Sequence, residues 1–278
     1  NNKNRQEFIG PYSIKDIKNS YIVSDLIKTD EIIIEFNSNN IDTTKMMEIE
    51  IEQINFDYKY KNSNSYFTRE REEPVIIVTG YWPPTNEMLR HFSQNQTLNP
   101  NGWEGDNWEN SGYDIISFFP TFDDPECIDC GQGLGDFKVD YQDTSEDFWP
   151  IFNTINPIAI ITFSRGFNNN SWELELNAYN RTNWYNDYAS PFLPTPNPPD
   201  QNEDTFFLRN SNLPMNDIID NINNNLSSLG LDVYIDEFGD PGHFVSEFMG
   251  YHGVWYRDLN INGVEKCISA GHVHVGGL

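Results

Sequence analysis

Pro74-Val-Ile-Ile-Val-Thr-Gly80 is a continuous apolar run of strand length that ends on a glycine. A run of this kind suits a strand covered on both faces, as in a parallel sheet packed between helices. Two further runs share its character, Tyr113-Asp-Ile-Ile-Ser-Phe-Phe119 and Pro157-Ile-Ala-Ile-Ile-Thr-Phe163, and Leu231-Asp-Val-Tyr-Ile235 makes a fourth. Amphipathic segments lie among them. The stretch from Leu213 to Leu226 places Met215, Ile218, Ile219, Ile222 and Leu226 on one helical face, and Gly242 to about Tyr251 reads as a second helix. Cys267 to Gly271 and then Val273-His-Val275 form a last strand region. Strand and helix alternation predicts an α/β domain with a largely parallel sheet over residues 73–278.

Residues 1–72 read differently. Ile32 to Phe36 is a short strand, Asn37 to Asn40 a turn cluster, and Met47-Glu-Ile-Glu-Ile-Glu52 a strict alternation. The alternation continues through Ile54, Phe56, Tyr58 and Tyr60 with its parity flipped, which predicts a bulge near Glu52 and Gln53. This segment is expected to be a β-rich extension, a small module or an added edge of the main sheet.

The 278 residues are enough for one large domain, or one domain and a small module. Lys and Arg number 17 against 43 Asp and Glu, a net charge of −26. Phosphate binding needs clustered cations, so nucleic acid is excluded as an expected partner, and so is an anionic membrane surface. Aromatic residues make up 14% of the chain, which argues for a packed core rather than disorder. No apolar run approaches the roughly 18–20 residues of a membrane span. Asn1 as first residue and an acidic, Lys-poor composition lead us to expect an extracellular or periplasmic chain that has lost a signal peptide. Cys127 and Cys130 form a Cys-x-x-Cys in an acidic, glycine-rich loop, and Cys267 stands apart. One such pair cannot close a four-ligand zinc site. A local disulfide, free thiols, and a metal or redox role all remain open for it.

Ligands of open α/β sheets bind beyond the carboxyl ends of the strands. Gly80-Tyr81-Trp82-Pro83-Pro84 follows the first run, and Ser164-Arg-Gly follows the third. Glu173 and Glu175 alternate, so they share a face if their segment is a strand. Ser246 stands one turn into the predicted helix that begins near Gly242, where free amides and the dipole can support an oxyanion. His272 and His274 share one strand face near the C-terminus. A serine attacks only when an imidazole takes its proton, and the imidazole needs a carboxylate to fix its tautomer. All three types are present.

These segments resemble the pyroglutamyl peptidase (pyrrolidone-carboxylate peptidase) family of cysteine peptidases. The family's Gly-Phe-x-Pro-Phe answers to Gly80-Tyr-Trp-Pro-Pro84, and its Glu-Arg-x-Ala-x-Asn to Glu175-Leu-Asn-Ala-Tyr-Asn180. Its Asp-Ala-Gly-Arg-Tyr-Leu-Cys-Asn answers to Asp240-Pro-Gly-His-Phe-Val-Ser-Glu247, and its Ala-Gly-Phe-Ile-His-Val-Pro to Ala270-Gly-His-Val-His-Val-Gly276. The resemblance covers roughly residues 74–278. It implies a three-layer α/β sandwich and a catalytic set of Glu175, Ser246 and His274. It further implies substrate contacts from Tyr81, Trp82, Pro83, Asn180 and Gly242. Ser246 replaces the family's cysteine, Leu176 its arginine, and Trp82-Pro-Pro-Thr85 its glycine-rich loop, so pyroglutamyl specificity is not expected.

Two function classes follow. One is a peptidase or amidase acting on a peptide or small amide with a Glu–Ser–His set and no cofactor. The other is an inactive relative kept for structure, binding or self-assembly, a homo-oligomer paired through its N-terminal strands. A weaker metal alternative would use His272, His274 and Glu173. The acidic run Asp140 to Asp147 lacks the spacing of a calcium loop and reads as a solvated loop.

Overall fold

The protein is described from a computed structural model, over residues 73–237, 242–264 and 266–276. The strands expected in residues 1–72 lie outside the described residues. The elements in chain order are β1 (Val75–Gly80), α1 (Pro83–Leu89), β2 (Asp114–Phe118), α2 (Tyr141–Ile155), β3 (Ala159–Arg165), β4 (Ser171–Glu175), β5 (Asn177–Tyr179), β6 (Leu208–Asn210), α3 (Met215–Asn225), β7 (Asp232–Asp236), α4 (Val245–Asn260) and β8 (Ser269–Val275).

Six strands form one sheet in the order β2-β1-β3-β8-β4-β7, and β5 pairs with β6 separately. Every neighbour pair in the large sheet is parallel except β4 with β8. Side chains alternate across a strand, and the sheet therefore feeds two cores. Ile77, Ile116, Ile160 and Ala270 point into a core that includes Phe148 and Phe152 of α2 and Phe248 and Met249 of α4. Val78, Ile115, Phe163, Leu174 and Val273 point into the other core, with Leu89 of α1 and Met215 of α3. The architecture is a three-layer α/β sandwich. No described helix is long and apolar enough to cross a membrane.

The acidic run 140–147 is helical, not the solvated loop its charge suggests. Asp140 caps α2, its Oδ1 accepting the Asp143 amide at 2.8 Å, and Asp147 Oδ2 accepts the Phe137 amide at 2.8 Å. A carboxylate at a helix start satisfies free amides and favours the dipole. The helix expected from Gly242 begins at Val245 and runs on to Asn260.

His252 lies inside the helical layer, in contact with the rings of Phe148, Trp149, Phe248 and Trp255. Its Nδ1 bonds the Phe248 carbonyl at 2.8 Å. Burial pushes its pKa from 6.5 down to about 4. The fold therefore holds the neutral ring, and the unfolded chain binds the proton first. The contribution is complete above pH 6.5 and is lost as the pH falls through the folded pKa, by about 3 kcal/mol in all. Urea unfolding followed from pH 7.5 to 4 will show this loss, and His252→Phe will flatten that part of the profile.

Candidate active site

The period of two places Thr162 and Ser164 of β3, Glu173 and Glu175 of β4, and His272 and His274 of β8 on the sheet face that α4 covers. Register then sets who meets whom. Ser164 lies beside His274 on one side, and Glu173 and Glu175 lie opposite His274 and His272 on the other. All six side chains are buried.

His274 Nδ1–H donates to Glu175 Oε1 at 2.6 Å. This bond selects the tautomer that leaves Nε2 as a free base. Burial pushes the Glu175 carboxyl above its ordinary range, the His274 bond pulls it back, and Asp236 and Glu173 push it up again. Its second oxygen, Oε2, is buried without a hydrogen-bond partner. His272 packs edge-on against His274, with ring centroids 4.6 Å apart. Its Nδ1 meets Thr162 Oγ1 at 2.7 Å and its Nε2 meets Ser164 Oγ at 2.9 Å. Burial, with His274 adding to it, drives the His272 pKa well below 6.5, so the ring is held neutral.

Helix α4 closes over this row. A side chain at Gly250 would come within 3.0 Å of His272 Cβ, so glycine there permits the close approach. Ser246 lies one turn earlier on the same helical face, towards the His274 end of β8. It is half-buried and lines a cavity of about 250 Å3 at the carboxyl ends of β1 and β3. No hydrogen bond joins Ser246 to His274. The helix start carries no side-chain cap, because Phe244 occupies the N-cap position. Beneath it, Arg181 Nε donates to Glu247 Oε1 at 2.5 Å, and Glu247 Oε2 accepts the His243 amide at 3.0 Å. His243, at φ 55°, and Gly242, at φ 100°, shape the approach to the helix.

The other residues singled out from sequence divide. Tyr81 and Trp82 line the cavity. The Tyr81 hydroxyl is also bonded to Thr144 Oγ1 at 2.6 Å. Pro83 is buried at the start of α1. Asn180 is not placed to touch a substrate. It is fully buried, its Nδ2 donates to the carbonyls of Asp200, Glu203 and Asp204, and its Oδ1 accepts the Asp200 amide. It fastens the loop that precedes β6. Cys127 and Cys130 are joined as a disulfide, and Ile128 and Cys130 of their loop wall the cavity.

For a metal, the ligand atoms that come within 4.8 Å of one another belong to Glu173, Glu175 and His274. His272 is not among them, and both of its nitrogens meet hydroxyl groups. A cation on His274 Nδ1 would have to displace the proton shared with Glu175, and Glu173 Oε1 is already bonded by Asn168 Nδ2 at 2.7 Å. The donor set fits a hydrogen-bonded pair better than a metal.

Thr162 escaped the sequence reading, and Ser164 was noted only as a residue that follows the third apolar run. Their signal was parity: both alternate with the apolar Ile161 and Phe163 within a run that reads as plain buried strand.

The described residues thus form an α/β sandwich with a buried carboxylate–imidazole pair beside a cavity that holds serines. No family model and no curated protein matches the chain. Solved structures do. A mutant pyrrolidone carboxyl peptidase from P. furiosus is 16% identical with a TM-score of 0.48, covering 73% of this chain and 80% of that one. Bacillus amyloliquefaciens pyroglutamyl peptidase I is 15% identical with a TM-score of 0.46, covering 73% and 82%. The pyrrolidone carboxyl peptidase of Thermococcus litoralis is 16% identical with a TM-score of 0.46, covering 73% and 76%. These structures carry the name of the family that the sequence motifs resemble.

Proposed function

We propose that the protein is an amide or peptide hydrolase with Ser246 as nucleophile, His274 as base and Glu175 as the group that orients His274. The observation that carries this reading is the 2.6 Å bond from His274 Nδ1–H to a buried Glu175. It supplies an imidazole with the correct tautomer on the same sheet face that the start of α4 overlies. In the reaction, Ser246 Oγ bonds to the carbonyl carbon while its proton passes to His274 Nε2. The charge that develops on the carbonyl oxygen is met by amides at the uncapped start of α4. The C–N bond then breaks, His274 returns the proton to the leaving nitrogen, and water attacks the acyl-serine with His274 again as base. Substrate binding must bring Ser246 and His274 into hydrogen-bond reach, as catalytic contacts often tighten only in the complex.

The test is labelling by a fluorophosphonate followed by peptide mapping. Modification at Ser246, with labelling and turnover of a peptide anilide both lost in Ser246→Ala, is the expected result. Ser164 also carries a hydroxyl at the cavity and bonds an imidazole. Its labelling in place of Ser246 would overturn the assignment, and so would turnover that survives Ser246→Ala.

A further inference from the structure

Arg165 is the described arginine whose place in the molecule is otherwise unexplained. Every other described arginine is paired with a carboxylate: Arg90 with Glu87, Arg181 with Glu247, Arg209 with Asp200 and Asp258, and Arg257 with Asp258. Arg165 has no carboxylate partner among the described residues, in a chain with 43 acidic side chains. It closes β3 and lines the same cavity as Ser246.

Its guanidinium is nevertheless held. It lies over the Trp82 ring at 5.5 Å from the centroid, and Nη1 donates to the Ile128 carbonyl at 2.9 Å. A cation over an aromatic face is attracted to it and kept near it. The Ile128 bond consumes one N–H, on the rim formed by the Cys127–Cys130 loop. Nε and Nη2 have no acceptor among the described residues, and that edge of a guanidinium suits both oxygens of one carboxylate. The remaining walls that matter are aromatic, Tyr188 and Phe244 with Trp82, and offer a bound group no competing anion. A cavity of about 250 Å3 is small and takes a short group rather than a long chain.

We propose that Arg165 makes this cavity a carboxylate subsite, so that the protein's substrate is a small amide or peptide end bearing an acidic group close to the bond cleaved. The inference rests on the hydrolase reading only for the word substrate. The anion subsite itself stands on the cavity and on Arg165. The net charge of the chain opposes anions at long range, but beyond a Debye length of about 8 Å at physiological salt that field is screened. Local pairing at Arg165 therefore decides binding.

Glutarate and its neutral analogue glutaramide are the probes, titrated calorimetrically into the full chain carrying Ser246→Ala. Glutarate is expected to bind at least about tenfold more tightly than glutaramide. Adding Arg165→Gln should remove that advantage, whereas Lys266→Gln, the same charge change on an exposed residue beyond the far end of β8, should leave it intact. Equal binding of the two probes, no binding of either, or glutarate binding that is indifferent to Arg165→Gln overturns the proposal. The two readings fail separately. Arg165-dependent glutarate binding without labelling of Ser246 keeps the subsite and removes the hydrolase; labelling of Ser246 without that dependence does the reverse.

Discussion

Arg181→Met should destabilise the fold by about 3–5 kcal/mol, the loss expected when one partner of a buried ion pair is removed. Arg181 and Glu247 are both nearly inaccessible, and their N–O separation is 2.5 Å. Arg181 also lies over the Tyr179 ring and reaches His243 Nε2 at 2.9 Å. Without the guanidinium, the Glu247 carboxylate would be a buried charge at the start of α4, beside Ser246. Chemical denaturation measures the loss. The companion substitution Glu247→Gln in the same chain should restore more than half of it, because the neutral amide no longer needs a cation. A variant that loses less than about 1 kcal/mol would mean that water reaches Glu247 and that the pair does not anchor the helix.

Glu175→Gln carries the largest functional effect. If Glu175 orients His274, an amide in its place can stabilise the wrong tautomer and cannot stabilise the imidazolium. Turnover should then fall by about 10^4-fold, the scale known for such a change in Ser–His–acid hydrolases. Stability should move the other way. Burial raises the Glu175 carboxyl, so the folded state holds a proton there more tightly than the unfolded chain does. Stability is present at low pH and lost as the pH rises through the folded pKa. Gln removes that loss, so the variant should be as stable as the parent at pH 5 and no less stable at pH 8. Thermal melts at both pH values, run beside the anilide assay, separate a broken site from a broken fold. A variant that melts early and is inactive would sink the orienting role.

Much of the sheet was legible because each of its long strands is a run that is apolar or alternates cleanly. The runs around Val75–Gly80, Asp114–Phe118 and Ala159–Arg165 needed only length and composition. Helix α2 was not read, because four acidic residues lie in its first turns and its cap. Its apolar spacing was present: Tyr141, Phe148, Ile151, Phe152 and Ile155 all turn inward. Charge drew attention from period, and Asp143 and Asp147 proved to be buried acceptors rather than solvated groups.

The site was legible as residue types and parity. Glu175 and His274 could be singled out because each stands in a segment that resembles a motif of the pyroglutamyl peptidase family, two residues from a like partner. What brings them together is strand order, and no local pattern encodes that β4 enters the sheet beside β8 and runs against it. For the same reason Thr162 and Ser164 could not be assigned to His272. Asn180 matched a motif, but the backbone carbonyls that surround it come from residues 200–204, a neighbourhood set by the path of a loop.

The antiparallel contact between β4 and β8 has a bearing on quality control. Both carboxylates are set opposite the imidazoles by this pairing, Glu173 across from His274 and Glu175 across from His272, and Glu175 bonds His274. A slip of one residue would turn both carboxylates to the opposite face, into the core that holds Leu174 and Val273. Such a chain would bury two acids among apolar side chains and could not persist. Correct registry of these strands and a formed Glu175–His274 pair are therefore one event, and a molecule that has folded with this registry has brought carboxylate and imidazole together.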